Sequence, residues 1–338
     1  MNDSEFDLNM NLEIEGSNLS VIGVGRMGCG IALSFAYAGY PITLVDSEDR
    51  SEQRFAELVA ATLPLLQADL DFLKSVSVIS EQQSTEILAR ISIVPKANAA
   101  GYLQQADFIF EAVSEVVEIK KSTYAWLNDI ASEKAIFAST TSTMLANKLA
   151  EFVRDNSRFS NAHWLNPAYL MPLIEISPSQ GTSDETVTKL KTLFEKMGKK
   201  PIVCAASPGY IVSRLQALAL NESARMVEEG VASAEDIDNA VRYGFGIRYA
   251  ILGMLEFVDW GGGDILYYAC NYLADNIDQK RFAPADIVKQ NMENHRNGLR
   301  DGVGFYEYEG VDLDAYRNRK LAAFVNLLKH LELMPRAK

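Results

Sequence analysis

Histidine is scarce in this chain: His163, His295 and His330 are the 3 in 338 residues. Imidazole acid–base chemistry near neutral pH therefore has few places to sit. Cysteine is equally rare. Cys29, Cys204 and Cys270 are widely spaced, odd in number and without metal-ligand spacing. That argues against a disulfide scaffold or a cysteine-rich zinc site and predicts free thiols in a reducing cytoplasm. No run approaches the ~18 uninterrupted apolar residues of a membrane-spanning helix. Basic residues are outnumbered, with Lys plus Arg at 32 against Asp plus Glu at 45, a formal net charge of −13. Nucleic acid and anionic membranes, which need basic patches, are disfavoured as partners. Low-complexity tracts and internal repeats are lacking. The opening MNDSEFDLNMNLEIEGSN has no basic region followed by an apolar run. It does not read as a secretory signal, and a disordered acidic extension is expected over residues 1–18.

What is present is apolar residues, at 48% of the chain, enough to bury a substantial core in two domains or one large one. The first half alternates short apolar runs with helix-like periods. Strands are expected at Leu19–Val24, Pro41–Val45, Asp107–Glu111, Ala135–Ala138, Leu173–Ile176 and Pro201–Cys204. Helices are expected at Gly28–Ala38, over Ser51–Leu66 with an interruption at Pro64, from Asp107–Glu111 onward to about Ile130, and before Gly198. Such alternation predicts an α/β domain with a doubly wound, mostly parallel sheet of Rossmann type over 19–205. After Pro208-Gly209 the pattern turns helical, with helices at Ile211–Glu229, Ala234–Tyr243, Leu252–Asn276 and near Tyr316–Leu333. An all-α C-terminal domain is expected over 206–338, with Ser233 and Asp236 forming a capping box.

Residues 160–177, SNAHWLNPAYLMPLIEIS, place His163 twelve positions before Glu175, which stands between Ile174 and Ile176. A carboxylate inside an apolar strand is costly without a partner, and a histidine on the preceding segment can be that partner. The pair suits either a general base oriented by an acid or a structural ion pair between adjacent strands.

Gly23-Val24-Gly25-Arg26-Met27-Gly28 is a G-x-G-x-x-G that ends a strand and opens a helix. Its glycines permit a tight turn, backbone approach to a pyrophosphate and close helix–strand packing. Asp46 closes the next strand at about the twenty-residue offset of an acid that binds the adenosine ribose. Glu48 and Asp49 reinforce repulsion of a 2′-phosphate and Arg50 weakens it, so NAD is expected over NADP. A histidine–carboxylate pair beside such a site suits hydride transfer to nicotinamide better than flavin chemistry.

Six ordered motifs resemble the 3-hydroxyacyl-CoA dehydrogenase family. These are the glycine loop through Ala32, Phe110–Glu115 followed by Ile119-Lys120, Ile136–Ser142, His163–Pro167, Pro208–Arg214 and Gly302–Tyr306. The resemblance extends to 3-hydroxybutyryl-CoA dehydrogenases and to L-gulonate 3-dehydrogenase and lambda-crystallin. It implies that His163 takes the hydroxyl proton, that Glu175 orients the imidazole, that Ser142 bonds the substrate oxygen and that Asn166 positions substrate and nicotinamide. Beside Gly23, Gly25, Gly28 and Asp46, it implies cofactor contacts from Arg26, Met27, Ala112, Ser142, Glu115 and Lys120, the last two at the nicotinamide ribose. It also implies a homodimer, with the helical domain closing over the substrate. Two departures stand out: Ser213 replaces the usual asparagine, which shortens a contact to the substrate, and Thr140 replaces another.

The implied substrate is a short L-3-hydroxyacyl-CoA such as 3-hydroxybutyryl-CoA, in fatty acid metabolism. Coenzyme A requires basic residues, yet Ser47–Leu73 offers only Arg50 and Arg54. Gly244–Ala250 resembles instead the family members that act on free acids, gulonate and carnitine dehydrogenases, with Arg248 clamping the carboxylate. An ordinary salt bridge explains Arg248 equally well. A non-catalytic, crystallin-like binding protein is the remaining alternative. His295 and His330 read as surface residues, Cys29 as a small packing residue, and Trp260–Asp264 as a tight turn or a border of the cleft.

Overall fold

A computed structural model of the chain describes Ile14 and residues 16–335. The acidic extension expected over 1–18 falls outside the described residues except at Ile14 and 16–18. Those few belong to the fold: Ile14 is buried, and Asn18 donates its N–H to the Asp107 carboxylate at 2.8 Å. The chain joins the folded body earlier than expected.

The described residues form two compact units dividing at Leu218/Ala219. The divide falls within the helix Val212–Glu228 rather than at 205/206. Tyr210, Ile211 and Val212 bond side chains and backbone near the sheet, so the first turn of that helix stays with the first unit.

The first unit is built on eight strands: β1 Leu19–Ile22, β2 Ile42–Val45, β3 Ile91–Val94, β4 Phe108–Glu111, β5 Ile136–Ser139, β6 Phe159–Trp164, β7 Leu173–Pro178 and β8 Lys200–Val203. Their order is β3-β2-β1-β4-β5-β6-β7-β8, and every pairing is parallel except β6 with β7. Successive residues face opposite sides of the sheet. Phe108 and Phe110 of β4 join a core with Phe35, Trp164 and Phe194, while Ile109 between them packs with Tyr124, Leu127 and Phe159 on the other side. Both faces are thus covered by helices, as parallel strands require.

Several elements differ from expectation. Helix Glu52–Ser75 runs through Pro64 without a break. Proline removes one N–H, but Leu66, Leu70 and Leu73 bury a continuous stripe that holds the helix together. Strand β3, strand β6 and helix Glu81–Ala89 had no expectation of their own. For β3, a run of four residues carries too little periodicity to distinguish strand from buried turn.

The second unit is helical among its described residues. Helices Met254–Gly261 and Gly263–Asn276 replace the single expected helix, because Gly262 adopts φ +111°. The helix from Ala234 ends at Ala240 and continues as π-type turns over Val241–Gly246 and then as Ile247–Ile251. Ser233 accepts from the Asp236 N–H at 3.1 Å, and its hydroxyl donates to the Asp236 carboxylate rather than leaving that group to the backbone. Gly302–Tyr306 wraps the buried Asp259: the N–H groups of Phe305 and Tyr306 donate to its two oxygens at 2.9 and 2.8 Å. A Cβ on Gly304 would lie 2.2 Å from that carboxylate, so this motif is a structural one.

Candidate active site

The strand order reverses between β1 and β4, which opens a crevice at the carboxyl ends of the strands. Gly23 leaves β1 at φ +111°, and a Cβ there would sit 2.7 Å from the Ala112 carbonyl oxygen. A Cβ on Gly28 would sit 1.8 Å from the Gly23 carbonyl oxygen. Both positions demand glycine on space alone. Gly25 is the N-cap of helix Arg26–Tyr37 and brings no capping side chain, so the first-turn amides are left to serve an anion.

A cavity of about 650 Å³ starts at this turn, and Gly23, Gly25, Arg26 and Met27 line it together with Asp46 and Ala112. At its other end it is lined by Glu115, Ser142, His163, Asn166 and Ser213. His163 and Glu175 stand directly opposite in the antiparallel β6–β7 ladder. Imidazole Nδ1 lies 2.8 Å from Glu175 Oε2. The other carboxylate oxygen accepts the N–H groups of Ile211 and Val212, both at 2.9 Å. Glu175 is fully buried and does not itself line the cavity; it engages Nδ1 of the ring, while His163 lines the cavity. That is the geometry of an oriented general base.

Ser142 is placed by Glu115. One Glu115 oxygen accepts the Ser142 and Thr143 N–H groups at 3.1 and 3.2 Å, the Thr143 hydroxyl at 2.9 Å and the Thr141 hydroxyl. Burial raises the Glu115 pKa, but the Thr141 hydroxyl, the Lys120 ammonium and Thr143 outweigh it and hold it below the ordinary value.

Residues 18–207 match the family described as 3-hydroxyacyl-CoA dehydrogenase, NAD binding domain, and residues 209–308 match its C-terminal domain. The chain belongs to the 3-hydroxyacyl-CoA dehydrogenase family. A probable 3-hydroxyacyl-CoA dehydrogenase of Caenorhabditis elegans is 30% identical over 302 residues, 87% of this chain and 93% of that protein. The 5-formyl-3-hydroxy-2-methylpyridine 4-carboxylate 5-dehydrogenase of Mesorhizobium japonicum is 28% identical over 320 residues, 93% of this chain and 99% of that protein. Among solved structures, the 3-hydroxyacyl-CoA dehydrogenase of Archaeoglobus fulgidus aligns with a TM-score of 0.73 at 28% identity, over 94% of this chain and 100% of that one. The chain is thus an NAD-dependent oxidoreductase acting on a CH–OH group.

The dehydrogenase has the residues a dinucleotide needs. The glycine turn leaves room for a pyrophosphate at a helix N-terminus, and Asp46 directly follows β2 at the cavity wall. Asp46 is not free: Arg50 Nε donates to it at 2.8 Å, and Arg50 also reaches Glu48 at 2.9 Å. Arg50 therefore tempers the negative charge of this corner.

Three further expected residues have these surroundings. Gly28 packs against the turn rather than lining the cavity. Lys120, expected at the nicotinamide ribose, is buried and donates to both Glu111 oxygens at 2.7 and 2.9 Å, with Glu115 at 3.4 Å. Glu111 ends β4 with no exposure, and a buried carboxylate needs such a counter-charge. Arg248 lies in the second unit, exposed, with its guanidinium 5.4 Å over the Phe257 ring.

Sequence reasoning missed Glu111, Asn161 and Tyr210. Glu111 follows Phe108-Ile109-Phe110 and carries the same signal that singled out Glu175, an acid in an apolar strand. Lys120 had a signal too: with Thr123, Tyr124 and Leu127 it occupies the buried stripe of helix Val117–Ile130. Tyr210 falls inside the Pro208–Arg214 motif, which gave it no role of its own, and no local pattern marks Asn161.

Proposed function

We propose that this dehydrogenase interconverts a 3-hydroxyacyl and a 3-ketoacyl group, with a short-chain L-3-hydroxyacyl-CoA such as 3-hydroxybutyryl-CoA as substrate. The observation that carries the reading is the 2.8 Å His163–Glu175 contact in the wall of the cavity that begins at the glycine turn. Bound NAD supplies the hydride acceptor. His163 takes the proton from the substrate hydroxyl, and Glu175 keeps the ring oriented and stabilises the imidazolium that results. Ser142 donates to the substrate oxygen. Asn166 and Ser213 position the substrate, with serine reaching less far than asparagine.

A second reading is a free 3-hydroxy acid. It is favoured by the engagement of Arg50 with Asp46 and Glu48, which leaves Arg54 as the one remaining base of the stretch expected to serve coenzyme A. The Mesorhizobium japonicum relative is named for a carboxylate substrate. Arg248 is the residue proposed to clamp that carboxylate. Arg248→Met should then raise KM for the acid about tenfold or more, the equivalent of ~1.4 kcal/mol.

The deciding experiment is NADH oxidation with acetoacetyl-CoA against a panel of free 3-keto acids. Turnover of the thioester with kcat/KM above about 10⁴ M⁻¹s⁻¹ supports the first reading. Turnover confined to free acids overturns it. His163→Ala should lower kcat by roughly 10²-fold to 10⁴-fold on whichever substrate is used. Equal rates for wild type and His163→Ala would refute the assignment of the base. We further propose a cytoplasmic homodimer, to be checked by light scattering on the eluted protein.

A further inference from the structure

Tyr210 has an unusual backbone, one contact on His163 itself and two on the segments beside it. Its φ is +49°, a left-handed conformation that bulky residues seldom adopt. Such local strain persists only where the surroundings enforce it. Here the Tyr210 ring stacks on the His163 imidazole, with centroids 4.7 Å apart and planes 7° from parallel. Its hydroxyl donates to the Thr141 carbonyl at 2.7 Å, one residue before Ser142. The same hydroxyl accepts from Asn161 Nδ2 at 3.0 Å, two residues before His163 on β6. Asn161 Nδ2 also donates to the Met144 carbonyl at 2.8 Å, which ties the far end of the Ser142 loop. The next two amides along the chain, Ile211 and Val212, are those that hold Glu175.

One segment therefore grips both members of the pair. The left-handed turn at Tyr210 lets the ring lie flat on His163 while the following N–H groups face Glu175. Parallel stacking limits rotation of the imidazole about its Cβ–Cγ bond, which the single Nδ1 hydrogen bond would leave partly free. Burial pushes the phenol well above its ordinary titration range, so the hydroxyl keeps its proton and its donor role.

We propose that Tyr210 is a positioning residue for His163: its ring sets the plane of the imidazole, and its hydroxyl, held between the Thr141 carbonyl and Asn161, fixes that ring in place. The proposal rests on His163 being the base.

The test measures NADH oxidation with acetoacetyl-CoA, or with whichever 3-keto substrate turns over, for Tyr210→Leu and Tyr210→Phe. Each is made in the wild-type and in the His163→Ala background. Tyr210→Leu should lower kcat by about thirtyfold, the scale of a sub-ångström misplacement of a reacting group. KM for NADH should stay within about twofold, since Tyr210 does not line the glycine turn. Tyr210→Phe, which restores the ring and omits the hydroxyl, should recover most of the loss and sit about fivefold below wild type. Neither substitution should lower the residual rate of His163→Ala, because a residue that acts through the imidazole has nothing left to position. Wild-type kcat in a folded Tyr210→Leu protein overturns the proposal, as does a loss that persists undiminished without His163. If the leucine variant does not fold, the phenylalanine variant decides: a fivefold loss that vanishes in the His163→Ala background supports the proposal, and an unchanged kcat overturns it. Equal activity of wild type and His163→Ala is a separate outcome and refutes the choice of base.

Discussion

At the scale of single residues, the first unit places an unusual cation. Lys199 is buried, yet its ammonium donates to two backbone carbonyls, Ala168 at 2.6 Å and Met171 at 2.9 Å, and lies 5.7 Å over the Trp164 ring. Burial lowers its pKa from 10.5 to about 8. The sign follows from proton binding: a depressed lysine pKa means that the folded state loses its proton first. Below about pH 8 both states are charged and the burial penalty stands in full. Between about 8 and 10.5 the unfolded chain binds the proton that the folded chain has released, so the lysine's contribution to stability rises with pH. The neutral amine still carries two N–H groups for the two carbonyls. Lys199→Met should destabilise the protein by ~1–3 kcal/mol at neutral pH, through two carbonyls left unpaired. Because the variant lacks the rise, its deficit should widen between about pH 7 and about pH 9.5. Urea midpoints at both values check this, and a deficit that narrows would show the sign to be wrong. Glu175 was legible because an acid in an apolar strand needs a partner. Glu111 met the same rule, but Lys120 could be assigned to it only by noticing that the lysine occupies the buried stripe of its helix.

At the scale of elements, the glycine turn was read correctly from its pattern, and the reason is steric. Gly28→Ala would place a methyl group 1.8 Å from the Gly23 carbonyl oxygen, against backbone that cannot yield without opening the turn. The expected result is a loss of NAD affinity of about tenfold or more, equivalent to ~1.4 kcal/mol, in a fluorescence titration. Unchanged affinity would mean that the turn is looser than its geometry implies. Pro64 misled because propensity is a local signal and the leucine stripe behind it is a tertiary one. Gly262 was more legible: Trp260–Asp264 reads as a tight turn although the helix was expected to span it, and the positive φ of Gly262 is where the helix breaks. In the second unit, Asp259→Ala should remove the acceptor for the Phe305 and Tyr306 amides and destabilise that unit by ~2–5 kcal/mol. Thermal unfolding of the variant against wild type checks this.

At the scale of the whole molecule, the cofactor and the fold are linked. NAD that binds only the folded protein should stabilise it by ~2.7 kcal/mol at a hundred times its Kd. Calorimetry with increasing NAD should show Tm rising with the logarithm of concentration. Asp46→Asn should flatten that rise for NAD and narrow the difference between NAD and NADP if Asp46 is, as proposed, the acceptor for the adenosine ribose. A Tm that does not respond to NAD would contradict the fit of the dinucleotide to this crevice.

The alternation of strands and helices, the glycine turn with its acid, and the isolated carboxylate at Glu175 are each written in a few adjacent residues, so the sequence by itself determined the α/β class, the NAD site and the identity of the pair. Those features follow from local periodicity and from the cost of a lone buried charge. The antiparallel turn of β7, which sets His163 opposite Glu175, was decided only by the tertiary structure. So were the burial of Lys120 beneath Glu115 and the stacking of Tyr210 on His163 from a segment 47 positions further along the chain. Contacts across such separations depend on register and helix rotation, and no short pattern of residue types encodes either one.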